Sequence, residues 1–137
     1  MTRSAVVDAS VVLRWFVQDS LTDSAIAAAD RFDLIAPALL GAEVANALRS
    51  QIRFAGMPTE QALKHLDGLW STIAEVEDRP LLPAALRLAA DRDHPVYDCV
   101  YLALAMREGI PLVTGDMRLA RKFGGAPGLC FITLDSL

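Results

Sequence analysis

The chain has 137 residues, 53% of them hydrophobic and 22% charged. That length bounds it to one domain with core enough to need no disulfide or metal staple, and the composition excludes disorder as its main state. Its 13 bases against 17 acids give a net charge of −4, which taken alone argues against a nucleic-acid binder, because phosphate contacts need a basic face.

Ala5-Val6-Val7-Asp8 is a short apolar run ending in an acid and predicts a buried strand. Ser10 then leads Val11, Val12, Leu13, Trp15 and Phe16 into one or two helical turns. Thr22 to Arg31 is alanine-rich and reads as a helix, and Asp33 to Ala36 as a second strand stopped by Pro37. From Ala38 to Ala55, Leu40, Val44, Ala47, Leu48 and Ile52 recur at helical spacing, and Gly56 supplies the stop. Pro58 and Thr59 open a helix to Trp70 with Ala62, Leu63, Leu66, Leu69 and Trp70 as its apolar stripe.

Ile73 to Val76 predicts a third strand, and Leu82 to Asp91 a helix with Leu86, Ala89 and Ala90 turned inward. Asp93-His94-Pro95 is a break. Val96 to Arg107 is apolar nearly all round, the pattern of a buried helix, and Gly109 ends it. Ile110 to Thr114 is a fourth strand, Met117 to Phe123 a short helix, Gly124 to Gly128 a loop and Cys130 to Leu134 a last strand. Short apolar strands alternating with helices indicate an α/β fold with a mostly parallel sheet of four to five strands in a single domain, 1–137. Ligands of such sheets bind outside the carboxyl ends of the strands.

Cys99 and Cys130 are too few for a disulfide scaffold or a four-thiolate zinc site, and their apolar neighbours predict two buried, reduced thiols. No basic-then-apolar leader opens the chain, and no apolar run reaches the roughly 20 residues that span a bilayer. A cytoplasmic protein without a membrane partner is expected.

Four acids depart from the ordinary pattern of solvated charges. Asp8 ends the first strand, Glu43 shares the face of Leu40 and Ala47, Asp98 is hemmed in by Tyr97, Val100 and Tyr101, and Asp116 follows Leu112-Val113-Thr114-Gly115. Each has a bland alternative: Asp8 and Asp116 as helix caps, Glu43 at a wet rim, Asp98 as a first-turn acid favoured by the helix dipole. Ser10 competes with Asp8 for the cap. Jointly the four fall where one sheet edge brings them together, and clustered carboxylates repel unless a cation joins them. Oxygen ligands suit Mg2+ or Mn2+. His65 and His94, the only histidines, read as a surface and a loop residue, which disfavours a zinc site. A carboxylate-held divalent ion suggests phosphoryl chemistry, and without a Gly-rich Walker loop phosphodiester hydrolysis fits best.

Val6-Val7-Asp8-Ala9-Ser10, Glu43, Tyr97-Asp98 and Thr114-Gly115-Asp116 together resemble, in order and spacing, the four acidic motifs of the PIN domain. A PIN domain with nothing appended is similar to the VapC toxins of type II toxin–antitoxin pairs. The resemblance implies an α/β/α sandwich, a Mg2+- or Mn2+-dependent endoribonuclease, a homodimer, and a cognate antitoxin whose tail fills the acidic groove, in a larger toxin–antitoxin assembly. Carried onto this chain, Asp8 and Asp98 become the principal metal ligands, and Glu43 and Asp116 complete the catalytic set directly or through water. Ser10 and Thr114 match the family's supporting hydroxyls.

RNA contact falls to Arg118, Arg121 and Lys122, which follow Asp116 closely, with Arg14, Arg49 and Arg53 as further candidates; the alternative for each is a solvated helix face. The competing functions are a PIN-like module that binds without cutting, a phosphatase or receiver domain, and a housekeeping RNA-processing nuclease. A mean hydropathy of +0.33 and the Thr59–Trp70 stripe predict a face covered by a second subunit or an antitoxin helix. The 17 acids less these four equal the 13 bases, so the excess charge is assigned to the proposed site and no longer argues against RNA.

Overall fold

The computed structural model describes residues 3–137. Five strands, β1 (Arg3–Val7), β2 (Phe32–Pro37), β3 (Ile73–Val76), β4 (Leu112–Thr114) and β5 (Phe131–Thr133), form one sheet in the order β3-β2-β1-β4-β5. Every pairing is parallel. Helices α1 (Ala9–Val12), α2 (Thr22–Arg31), α3 (Leu39–Ala55), α4 (Thr59–Asp67), α5 (Leu69–Thr72), α6 (Leu82–Arg92), α7 (Val96–Glu108) and α8 (Met117–Phe123) flank it.

The central strands are covered on both faces, which is why they read as unbroken apolar runs. Ala5, Val6, Val7, Leu112 and Val113 are fully buried. The chain builds outward from β1 through β2 to β3, then returns to the other side of β1 for β4 and β5. The strand order therefore reverses between β1 and β4, and in open parallel sheets the carboxyl ends of the strands at such a switch point are where ligands bind.

Helix α7 lies in the core. Its residues Cys99 to Ala105 are all buried, and it packs against β1, β2, β4 and also α6. No polar face is left, so the sequence shows no amphipathic stripe. Gly109, at φ 64°, ends the helix by returning its N–H to Ala105 and Met106, a left-handed conformation that a side chain would strain.

Several local expectations need correction. The first helix begins at Ala9, and Asp8, not Ser10, is its cap. Strand β2 runs through Pro37, because the bond that proline cannot donate passes to Ala38 N–H and Val76 O at 2.8 Å. The Thr59–Trp70 helix is two helices that part at Gly68, a weak helix former. On α6 the inward residues are Ala85 and Ala89, while Leu86 and Ala90 are exposed. Small residues at the contact let α6 lie close against α7. Cys99 is buried but Cys130 is exposed, since it precedes the edge strand β5. Leu63, expected inward, is half exposed. No helix among the described residues is long and apolar enough to cross a membrane.

The burial pattern separates two leucines. Leu102→Ala, on α7, is expected to cost about 2–5 kcal/mol, whereas Leu86→Ala, on the outer side of α6, should stay within about 0.5 kcal/mol of the parent. Urea unfolding of both variants measures the difference. Equal costs would contradict a buried α7.

Candidate active site

The register of the central strands sets the first acid. Val7 of β1 stands beside Val113 of β4, so the next residues, Asp8 and Thr114, face each other across the switch point. Thr114 Oγ1 donates to Asp8 Oδ2 at 2.5 Å. Ser10 donates to Asp8 Oδ1 from its backbone N–H at 3.1 Å and again from its hydroxyl. Gly115 N–H in turn donates to Ser10 Oγ at 2.8 Å, and Asp116 N–H to Thr114 Oγ1 at 3.0 Å. Asp8 is only 8% exposed. Burial pushes its carboxyl up to about 6 from an ordinary 3.8; the Ser10 and Thr114 bonds pull the other way, and the Asp98 charge adds to the rise.

Two further carboxylates arrive from different helices. Glu43 lies one turn into α3, and Asp98 in the first turn of α7. The buried Tyr101 phenol donates to Glu43 Oε1. Burial raises the Glu43 carboxyl above its ordinary value, the Tyr101 bond opposes that, and Asp98 raises it further. Asp98 thus presses electrostatically on both Asp8 and Glu43. His94 Nε2 lies 2.8 Å from Asp98 Oδ2.

Asp116 sits at the rim in a different role. Its Oδ1 accepts from the Arg118 and Leu119 backbone N–H groups at 3.0 and 3.1 Å, so it caps α8. For Asp8 and Asp116 the cap and the site position coincide, because a strand's carboxyl end is also where the next helix starts.

The basic candidates disperse. Arg118 and Arg121 are exposed on α8, without an ion pair among the described residues. Lys122 turns to the Asp93–His94 loop, donating to Asp93 O at 3.0 Å and meeting His94 Nδ1 at 3.1 Å. Arg14 bonds Ser10 O at 2.7 Å and Asp19 at 2.9 Å. It lies where a Cβ on Gly115 would stand, 2.3 Å from its Nη1, so glycine lets the guanidinium approach the site loop. Arg49 borders a groove between α3 and α4. Arg53 lies 5.2 Å from the Phe54 ring centroid, about 15 Å along α3 from Glu43.

Sequence reasoning missed Tyr101 and His94 as partners of the acids. A tyrosine inside an all-apolar helix was the available signal, since a buried phenol needs a hydrogen-bond partner. For His94 the signal was its place four residues before Asp98 with a helix start between them. His65 is not a plain surface residue either: it stacks on Phe16 at 4.4 Å.

The donor set fits a hard divalent cation in kind. Glu43, Asp98 and Asp116 each give one oxygen to the protein and leave the other without a hydrogen-bond donor among the described residues. The mutual repulsion around Asp98 is what such an ion relieves. As the side chains stand, no three described His, Cys, Asp or Glu groups come close enough to close around one ion.

A doubly wound parallel sheet with Asp8 and Asp116 at the carboxyl ends of the two strands that flank its switch point defines an α/β protein with acidic residues at that edge. The PIN domain family model matches residues 5–123, and the chain belongs to the PIN-domain family. Ribonuclease VapC1 of Mycobacterium tuberculosis is 37% identical to it, over 96% of this chain and 92% of that protein. A crystal structure of a Pyrobaculum aerophilum protein matches with a TM-score of 0.72 and 28% identity, covering 98% of this chain and 85% of the other. A toxin–antitoxin complex from Klebsiella pneumoniae matches at 0.70 and 18% identity, over 93% and 96%, a likeness of fold alone.

The raised Asp8 carboxyl has a consequence for stability. Its protonated form is the one the fold favours, so that contribution is fully present below 3.8 and is lost as the pH rises through about 6. In cation-free buffer Asp8→Asn should therefore be more stable than the parent at pH 8, by about 1–3 kcal/mol, with the gain vanishing below about pH 4. Denaturant unfolding at both pH values measures it; a variant no more stable at pH 8 would contradict the burial argument.

Proposed function

We propose that this chain is the toxin of a type II toxin–antitoxin pair, a Mg2+- or Mn2+-dependent endoribonuclease. The observation that supports the reading is the charge of Asp98, on α7, acting on both Asp8 at the end of β1 and Glu43 on α3, with Asp116 following β4 on the other side of the switch point of a PIN-family sheet. A relative named Ribonuclease VapC1 at 37% identity supports the chemistry, and its VapC name, shared with the toxins that the acidic motifs resemble, supports the partner.

In this reading Asp8 and Asp98 are the principal ligands, with Glu43 and Asp116 completing the set directly or through water. The cation, when bound, supplies charge stabilisation to the phosphodiester and a water more easily deprotonated than in bulk. The residues do the rest. Ser10 and Thr114 hold Asp8 in one orientation. Tyr101 holds Glu43 by Oε1 and leaves Oε2 open. Burial and the Asp98 charge raise the proton affinity of Glu43, which suits its Oε2 to accept the proton of the attacking water. Water adds across the P–O bond, one RNA fragment keeps the phosphate, and the other leaves with a hydroxyl. Arg118 and Arg121, exposed beside Asp116, hold the flanking phosphates.

The cognate antitoxin supplies a basic tail for the acidic crevice. Its apolar segment, or a second copy of this chain in a homodimer, covers the exposed Leu63 and the neighbouring α3–α4 groove of Leu48, Ile52 and Leu66.

Chelation should abolish RNA cleavage, and added Mg2+ or Mn2+ should restore it. Asp98→Asn should lower the rate by more than about 100-fold with the unfolding transition kept, since losing even an outer partner of a metal ligand costs about 10–100-fold. Cleavage that survives either treatment would refute the assignment. Replacing Arg118 and Arg121 together should weaken RNA binding and reduce the slope of log affinity against log salt by about 1–1.5. An unchanged slope would remove them from the substrate site.

A further inference from the structure

The loop between α6 and α7 carries a side-chain chain that the cleavage scheme does not use. His94 is held from four directions. Its backbone N–H bonds Ala89 O at 3.0 Å, and its ring stands edge-on to Phe123 at 5.2 Å. Nδ1 lies 3.1 Å from Lys122 Nζ, and Nε2 lies 2.8 Å from Asp98 Oδ2. Asp93, just before it, adopts φ 49°, a left-handed backbone rare outside glycine that persists only where the surroundings enforce it. Pro95 follows and sets the start of α7 three residues before Asp98.

The partners fix the imidazole's tautomer. A lysine ammonium has donors only, so Nδ1 accepts from Lys122. The ring proton therefore sits on Nε2 and is donated to Asp98 Oδ2. Lys122 also donates to Asp93 O at 3.0 Å, so its charge is committed one imidazole away from Asp98.

Asp98 needs such a hold. Its side chain is 41% exposed, against 15% for His94, and the charges of Asp8 and Glu43 repel it. Without a donor, solvent would draw the carboxylate away from the other two. With Oδ2 tied to His94, Oδ1 accepts no hydrogen bond among the described residues and remains for a ligand.

We infer that His94 is a positioning residue for Asp98: oriented by Lys122, it donates from Nε2 to Asp98 Oδ2 and keeps that carboxylate turned toward the acidic cluster. This rests on the metal-dependent nuclease reading for its effect on activity. It also reassigns Lys122 from the RNA-contact group to the support of Asp98.

The test combines kinetics with two measurements that need no turnover. His94→Ala should lower kcat about 10–100-fold, as loss of a ligand's hydrogen-bond partner does, with KM for RNA unchanged; His94→Gln, which keeps a donor, should recover most of the loss. Lys122→Met should also lower kcat at unchanged KM, whereas a phosphate contact would raise KM. Nitrogen NMR of the cation-free protein should show His94 protonated on Nε2 and bare on Nδ1, and calorimetry should show weaker Mn2+ binding in His94→Ala than in the parent. Parental kcat and Mn2+ affinity in His94→Ala, a proton on Nδ1, or a pure KM effect in Lys122→Met would each overturn the inference. A parent that binds Mn2+ but cleaves no RNA would remove the nuclease reading alone. The Mn2+ affinities would then decide the role of His94, upheld if weakened and overturned if unchanged.

Discussion

A carboxylate sits at the carboxyl end of the innermost strand, and the local structure is arranged around keeping it there. Asp8 is tied to Thr114 of the neighbouring strand and to Ser10 of the following helix. Those bonds join β1, β4 and α1 at the point where the strand order reverses. They also leave a charge at a buried position. A buried carboxylate is costly without compensation, and three hydrogen bonds do not fully offset the burial, since the carboxyl is still pushed up to about 6. The fold spends stability at this position, as functional sites commonly do.

The same bookkeeping extends to the other acids. Tyr101 holds Glu43, His94 holds Asp98, and the first turn of α8 holds Asp116. In each case one oxygen is fixed and the other is left. Side chains arranged to rotate little while keeping an open oxygen suit a hard cation better than they suit a packed core. The two partners with the most specific geometry, Tyr101 and His94, lie in the second turn of α7 and in the loop just before that helix. Burial of that helix among β1, β2, β4 and α6 fixes the position of Tyr101.

Much of this was legible in the sequence. Parallel strands buried on both faces leave unbroken apolar runs, so Ala5-Val6-Val7 and Leu112-Val113 declared themselves, and the acids that end those runs marked the sheet edge. The buried α7 was legible for the same reason. Phase was harder. Leu86 looks like a core residue, but alanines at 85 and 89 face α7, because close packing selected small side chains over large ones. The break at Gly68 and the run of β2 through Pro37 depend on tertiary contacts that override local preference. The sequence also could not show that Lys122 turns away from Arg118 and Arg121, because its partners, Asp93 and His94, lie 29 and 28 residues earlier. Alternatives posed singly for Asp8 and Asp116, cap or site, are not exclusive: both residues cap a helix and stand at the carboxyl ends of adjacent strands.

The proposed function rests centrally on a divalent cation completing the set of acids at the sheet's carboxyl edge. The most direct measurement is the thermal unfolding midpoint at pH 8, in cation-free buffer and with Mn2+ in excess, for the parent and for a variant carrying both Asp8→Asn and Asp98→Asn. A ligand that binds only the folded state at about 100 times its dissociation constant adds about 2.7 kcal/mol. The account predicts a clear rise in midpoint for the parent and none for the double variant. An unchanged parent midpoint, or an equal rise in both proteins, would contradict it.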